Sequence, residues 1–367
     1  MQRDAGQRLR VVDVALFYGE RSGGIRTYID AKVRFARATQ AFEHHVIVPG
    51  PHECHRTGWH ELPSLRVAAA NGYRVPLGAG ALKGTLTSIR PDIVLLHDPF
   101  WNVLGVAAHA RALGARVVAV HHGSSALDAA GMPGPDRMWQ PMLRAWMRRS
   151  CAAADAVMAA IDTTEDLGRP PDLPLRFGVH PAFRPHIGVP RGDHVLYVGR
   201  LAREKGIAEL LEAAARAPEP WSLRVIGSGP LARRLARRAR RPDLAGRVRF
   251  APFVGDPAAL AREYAAARCV VMPGPHETFG LVALEAACSG APVALSASAP
   301  SARAVGALAE TFSAGGLLAA VERARARRPD RAAAAALAAR STWDAALGAE
   351  LGSLRRLVER RALRAVA

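Results

Sequence analysis

The chain has 367 residues, too many for one ordinary domain, and 50% of them are hydrophobic, which excludes a disordered chain. Its formal net charge of +18 invites nucleic acid or an anionic membrane as partner, yet only Lys32, Lys83 and Lys205 are lysines, and GC-biased coding explains such arginine usage more simply. No apolar run of about 18 residues lacks a charge, which excludes a spanning helix; Asp13 breaks the opening MQRDAGQRLRVVDVALF, which lacks a secretory layout, and four scattered cysteines fit a reducing cytoplasm.

Strand-like runs at Val11–Phe17, Val46–Val48, Ile93–Leu96, Val117–Val120 and Ala156–Ala160 alternate with helical patterns near Ile25–Ala38, Gly80–Ser88, Val103–Leu113 and Met138–Ala153. The second half repeats the scheme. Strands are predicted at His194–Val198, Leu223–Ile226, Val248–Phe250, Val270–Met272 and Val293–Leu295, and helices near Ile207–Ala217, Leu231–Arg241, Ala258–Ala267 and Leu281–Ser289. Continuous apolar strands of this kind suit parallel sheets covered on both faces, so the fold class is α/β with two doubly wound, Rossmann-like domains. The proline-rich segment Gly178–Asp193 is the expected joint, and Trp343–Leu363 reads as a closing helix.

The stretch PHETFGLVALEAACSGAPV, Pro275–Val293, is the most informative. Glu277 falls in a loop after a strand, and Glu285 falls about 9 Å along the following helix from Phe279, at ~1.5 Å per residue. A helix opening at the C-terminal end of a parallel strand is an anion site. A diphosphate on that helix start, flanked by two hydroxyl-rich groups, would let one ligand meet both carboxylates; a nucleotide sugar has that layout. Arg200 and Lys205 flank another strand-to-helix turn, where they serve either as a planar fork and a point charge for phosphate or as solvated charges. Gly227 and Gly229 follow a further strand without completing a dinucleotide fingerprint, and a plain tight turn explains them better than a phosphate contact does. Gly23 and Gly24 lead into the first long helix, either as an anion loop or as a flexible one. His121 and His122 end the strand Val117–Val120, and His97-Asp98 follows Ile93–Leu96 in the same way; each is a ligand contact or a structural histidine. The histidines around Cys54, namely His44, His45, His52, His55 and His60, fit no paired zinc spacing and read as loop histidines without a metal. No Asp-x-Asp occurs in the chain.

In order and spacing, VGRLAREKG, VIGSGP, the two-glutamate stretch, FSAGGLLAAVERA and Trp343, together with GVHPAFRP, the glycine pair and the histidine before Gly123, resemble the GT-B-fold retaining glycosyltransferases of family 4. The resemblance implies two Rossmann-like domains facing across a cleft: 1–180 for the acceptor, a linker at 181–190, 191–342 for the nucleotide sugar, and a 343–367 helix packing back on the first domain. It implies a catalytic set of Glu277, His122, Arg200 and Lys205. Glu277 binds the donor hexose, Glu285 the ribose, and the amides of Phe279, Gly280 and Leu281 the diphosphate. Gly24, Gly199 and Gly227 line the donor site, with the base near Phe253 and Val254. No cofactor or metal is implied: the donor is a UDP-sugar or GDP-sugar, its departing phosphate serves as base, and a mannose-type or glucose-type hexose passes with retention to a hydroxyl of a lipid-linked or cell-envelope glycan acceptor. The expected location is cytoplasmic, with peripheral contact to an anionic membrane through Trp139, Met142, Leu143 and Trp146 beside a basic helix end, and with no nucleic acid. Two departures from the family stand out: Phe177 where asparagine is usual, and SASAPSARAVG, Ser296–Gly306, where a glycine-rich loop ending in glutamate is usual. Competing readings are an epimerase-type GT-B enzyme, a phosphorylase, a non-catalytic partner of an active transferase, and a basic polynucleotide-binding protein.

Overall fold

The structure, a computed structural model, describes residues 8–19, 23–66, 74–132, 134–275 and 277–366; the first seven residues, Glu20–Ser22 of the first glycine loop, and His276 lie outside the described residues. The chain divides into two compact units, one of residues 1–125, 137–177 and 343–367, the other of 126–136 and 178–342.

The first half runs through β1 (Arg10–Val14), α1 (Gly24–Thr39), β2 (Glu43–Gly50), β3 (Cys54–Arg56), β4 (Trp59–Arg66), β5 (Arg74–Pro76), α2 (Gly80–Ile89), β6 (Ile93–Leu96), α3 (Val103–Ala112), β7 (Arg116–His121), α4 (Ser125–Gly131), α5 (Asp136–Ala152), β8 (Ala156–Ala159), α6 (Thr164–Leu167) and β9 (Leu173–Pro174). The strand order is β3-β4-β2-β1-β6-β7-β8-β9, with β5 on β4. The ladder from β2 through β1 and β6 to β8 is parallel, and the chain reverses its direction of travel between β1 and β6. Alternate residues of β1 part to opposite faces. Val12 and Val14 pack with Leu82, Leu86, Val106 and Ala107 of α2 and α3, whereas Asp13 meets Lys32 of α1. β1 stops at Val14, short of the expected Phe17: Ala15 N–H still reaches the Ile47 carbonyl of β2 at 3.0 Å, but Leu16 N–H leaves the ladder for the Asp98 carboxylate at 3.0 Å.

The second half runs through β10 (Val195–Val198), α7 (Ile207–Ala215), β11 (Leu223–Ile226), α8 (Ala232–Ala239), β12 (Val248–Ala251), α9 (Pro257–Ala266), β13 (Cys269–Met272), α10 (Leu281–Cys288), β14 (Val293–Ser296), α11 (Ser301–Val305), β15 (Ala309–Phe312), α12 (Leu317–Ala326), α13 (Arg331–Arg340) and α14 (Trp343–Val366). All but the last belong to the second unit, whose parallel sheet has the order β12-β11-β10-β13-β14-β15 and its reversal between β10 and β13. The central strands β10, β13 and β14 are covered on both faces, which is why they read as apolar runs, whereas the edge strands β12 and β15 are partly exposed. Leu196, Val270 and Leu295 pack with Tyr264, Ala283 and Leu337; Val195, Val271 and Ala294 pack with Leu210, Leu211 and Val321 on the other side.

The expected linker is part of the second unit. Val179 N–H donates to the Ser341 carbonyl at 2.7 Å, and Phe183, 4% exposed, joins the core around Tyr264. Residues 126–136 also go with this unit, to which Arg203 ties them through the Ala130 carbonyl and Asp136, each at 2.7 Å. α14 packs on α1 of the first unit.

Candidate active site

In open α/β sheets ligands collect beyond the carboxyl ends of the strands on either side of the reversal point. In the second unit those strands are β10 and β13, and the connections that follow them carry Arg200, Lys205 and Glu277, with Glu285 farther on, in α10. After β10 comes a short turn of 3₁₀ helix, Arg203–Lys205, and then α7. After β13 comes the 273–280 segment and then α10. Two glycines let these connections touch: a Cβ on Gly206 would stand 2.9 Å from the Pro273 carbonyl carbon, and one on Gly274 would stand 2.9 Å from the Glu204 carbonyl oxygen. That contact brings Lys205 Nζ to 2.7 Å from Glu277 Oε2, an ion pair with both side chains largely buried. Arg200, by contrast, is bonded to Glu204, whose own side chain is buried. The two cations expected to face a diphosphate therefore each hold a carboxylate.

Gly280 is the N-cap of α10, with Phe279 before it and Leu281 as the first helical residue. The first-turn amides of any α-helix lack intrahelical partners, so this end carries partial positive charge beside the Glu277 loop. The Ser296–Gly306 segment braces that loop at both ends: Ser298 Oγ donates to the Pro275 carbonyl at 2.6 Å, and Ser301 N–H donates to the Phe279 carbonyl at 2.8 Å. One turn along α10, Glu285 accepts a hydrogen bond from Tyr264 of α9 at 3.0 Å. Burial pushes its carboxyl up to about 7, against the opposing pull of the Tyr264 hydroxyl. Phe253 and Val254 follow the edge strand β12; Phe253 is 73% exposed, and Val254 is partly buried against the core. Gly199 follows β10. The glycine at 227 is required by packed backbone, because a Cβ there would lie 2.0 Å from the Gly199 carbonyl oxygen.

In the first unit the reversal point lies between β1 and β6, and the residues around it were only partly foreseen. Gly24 opens α1 with Gly23 as its N-cap. His122 follows β7 and is 8% exposed. Its Nε2 lies 2.6 Å from Nδ1 of His97, whose Nε2 lies 2.6 Å from Oδ1 of Asp13. Asp13, fully buried, also meets His44 at 2.5 Å and Lys32 at 3.1 Å. Lys32 bonds in turn to Glu350 of α14 at 2.7 Å, and Tyr28 donates to the same carboxylate. Burial opposes charge on Asp13, but Lys32 and its histidine partners outweigh it and hold the carboxyl well below its ordinary range. The first signal for this network was in the sequence: an acid inside an apolar strand, and one of three lysines on a helix whose neighbours are apolar. His121 ends β7 and lies 3.8 Å from Asp166, whose carboxylate also accepts from Ser125.

Two expectations are corrected. Of the histidines near Cys54, His52 lies in the bend between β2 and β3, but the others are not in loops: His44 and His45 lie on β2, His55 on β3 and His60 on β4. His60 bonds to His45 at 3.0 Å and to His55 at 2.9 Å, and burial with repulsion from those two rings lowers its pKa to about 4. On α5, Leu143 does not face outward; it is buried with Met147 and Cys151, while Met138, Met142 and Trp146 are the exposed apolar residues.

A model described as "Glycosyl transferases group 1" matches residues 184–326, and one described as "Glycosyltransferase Family 4" matches residues 22–169. The GDP-mannose-dependent alpha-(1-6)-phosphatidylinositol dimannoside mannosyltransferase of Mycobacterium tuberculosis is 32% identical over 311 residues, 78% of this chain and 79% of that protein. The 2-deoxystreptamine N-acetyl-D-glucosaminyltransferase of Streptomyces fradiae is 32% identical over 56% of this chain and 54% of its own length. Among solved structures, sucrose-phosphate synthase from Thermosynechococcus elongatus is similar with a TM-score of 0.71 at 20% identity, covering 98% of this chain and 100% of that one. An Anabaena protein solved in complex with UDP has a TM-score of 0.67 at 16% identity, over 95% and 100%. These likenesses establish a GT-B α/β fold, and with a mannosyltransferase at 32% identity along most of its length the chain belongs to the family 4, group 1 glycosyltransferases.

Proposed function

We propose that the protein moves a hexose of the mannose or glucose type from GDP or UDP to a hydroxyl of a lipid-linked or envelope glycan, with retention and without a metal. The observation that carries this reading is the Lys205–Glu277 pair at the end of β13, beside the α10 N-terminus and one helical turn from Glu285. A diphosphate arriving at that helix end takes Lys205 and Arg200 from their carboxylates. Glu277, released from Lys205, then accepts hydrogen bonds from hexose hydroxyls, and Glu285 accepts them from the ribose. The cations and amides stabilise charge on the departing diphosphate, and its phosphate oxygen takes the proton of the attacking hydroxyl. With that oxygen on the face of the sugar it leaves, attack comes from the same face and configuration is kept.

The mannosyltransferase relative, named for GDP-mannose and a phosphatidylinositol dimannoside, favours mannose and a lipid acceptor. The exposed Met138, Met142 and Trp146 stripe, with Arg148 and Arg149 exposed at the basic end of α5, favours peripheral contact with anionic lipid on the cytoplasmic side. Among the described residues no helix is long and apolar enough to cross a membrane. The test is release of free UDP or GDP from a panel of nucleotide sugars, with and without a chelator, followed by the anomeric configuration of the product. A panel with no release, release abolished by the chelator, or an inverted product each overturns the corresponding part of the reading.

A further inference from the structure

Arg200 and Lys205 each hold one carboxylate, but the two carboxylates differ in what awaits them when the cation leaves. Glu277 lies in the 273–280 connection, where the proposed hexose hydroxyls supply new donors. Glu204 has no such prospect. Its side chain is 8% exposed, against 35% for Arg200, and Arg200 is the sole partner of its carboxylate among the described residues. The turn that carries it is fixed on two sides. Leu201 N–H donates to the Ser228 carbonyl at 2.9 Å, and a Cβ on Gly274 would stand 2.9 Å from the Glu204 carbonyl oxygen. A neighbouring hydroxyl is already committed: Tyr197 donates to the Arg200 carbonyl at 2.8 Å, and burial first, then the Glu277 and Glu204 charges, hold its proton on by raising its pKa. Removing one partner of a buried ion pair leaves the other as an uncompensated charge. Moving Arg200 onto a phosphate therefore strands Glu204, and the stranded carboxylate draws the guanidinium back.

We propose that Glu204 is a positioning residue that competes with the diphosphate for Arg200, holding nucleotide affinity down and reclaiming Arg200 as the nucleoside diphosphate leaves after transfer. This role rests on the transferase reading above and deepens it at the same phosphate site, by naming what makes that site let its product go. Product release is rate-limiting in many enzymes, so a competitor built into the site favours turnover over affinity. Glu204 itself touches neither sugar nor phosphate; it acts through Arg200 alone.

The test is binding of GDP and of UDP to the full-length protein, which needs no turnover. Glu204→Gln keeps the shape of the side chain and removes its charge. It should bind the nucleotide that the wild type prefers on the order of tenfold tighter by calorimetry, less than a fully buried pair would give because Arg200 is partly solvated. Stopped-flow displacement should show dissociation slowed by a similar factor. A merely structural residue gives the opposite sign, because a damaged site binds more weakly. Glu204→Asp, with the charge on a shorter arm, should fall between the two, and it decides alone if Glu204→Gln fails to fold. Arg200→Gln supplies the control: with no guanidinium to compete for, adding Glu204→Gln to it should leave affinity unchanged, so the two substitutions are non-additive. Equal or weaker binding by the Glu204 variants overturns the proposal. So does equal tightening in the Arg200→Gln background, which would mean that Glu204 repels phosphate through space and does not act on Arg200. A wild type that binds neither nucleotide removes the transferase reading and this role together; wild-type binding without the tightening removes this role alone.

Discussion

Lys205 is the residue on which the proposed donor site turns. It is paired with Glu277, so on the proposed reading its loss removes both a charge for the leaving diphosphate and the brace for the carboxylate assigned to the sugar. Lys205→Ala should lower turnover by ~10²–10³-fold with an unchanged melting temperature, measured side by side; near-normal turnover would remove Lys205 from the site. Glu285 makes a different prediction. Burial pushes its carboxyl up to about 7, whereas the proposed ribose contact needs the ionised form to accept from hydroxyls. Binding therefore favours the charged state, and affinity grows as pH rises through 7. If only the ionised form binds, GDP or UDP should bind on the order of tenfold tighter at pH 8 than at pH 6. Calorimetric titration of Glu285→Gln, which has no such proton to lose, should be weaker and flatter with pH; titration of the diphosphate itself affects both proteins alike and cancels. At this scale much was legible. Glu277, Lys205 and Glu285 stood out by type and spacing. His97 stood out only as a strand-end histidine, and its link to Asp13 was not legible, because a buried network is built from residues far apart in the chain.

Of the parallel strands, β9 and β15 were missed; β1, β2, β6 to β8 and β10 to β14 were read, with the helices beside them, from apolar runs, because central strands of such sheets are covered on both faces. The β3–β4 hairpin was not. Cys54–Arg56 and Trp59–Arg66 carry polar and partly exposed residues at the sheet edge, and Pro63 argues against a strand; the Thr57-Gly58 turn between them was the available signal. The loop from Ser296 was recognised as unusual, and the structure gives it work: serines replace the family's glycine-rich turn and grip the 275–279 backbone from outside. Ser298→Ala deletes the bond to the Pro275 carbonyl, worth about 1 kcal/mol. Because Pro275 is exposed and water can replace the hydroxyl, stability should barely change. Glu277 would then sit on a looser loop, and kcat should drop several-fold, up to about tenfold for a loss of that size. A melting curve that shifts while kcat holds would make this bond structural only.

The chain end completes the first unit. α14 begins more than 300 residues after α1, yet it delivers Glu350 to Lys32 and Tyr28 in the centre of that unit, and Trp343 meets Tyr28 and Phe177 ring to ring at 6.3 Å. Phe177, the departure from the family's asparagine, is thus an aromatic member of this core. Leucines at helical spacing made the helix legible; the acid between them, Glu350, which anchors it, was not singled out. For Lys32, burial pulls toward neutrality, but Asp13 and Glu350 outweigh it and raise its pKa. Its contribution to stability is therefore complete at neutral pH and is lost only as pH climbs through the raised value. For Asp13, whose pKa is lowered, the contribution is present above the ordinary carboxyl range and is lost in acid. Removing one partner of such a buried set leaves charge uncompensated and typically costs ~3–5 kcal/mol. Glu350→Ala should cost the first unit that order of stability. Hydrogen exchange at neutral pH should then show faster exchange in β1 and α1 while β10 and β13 keep their protection, since Glu350 touches nothing described in the second unit's core clusters. Equal acceleration in both sheets would mean that the two units unfold as one, and unchanged exchange in β1 and α1 would mean that the Glu350–Lys32 pair holds nothing.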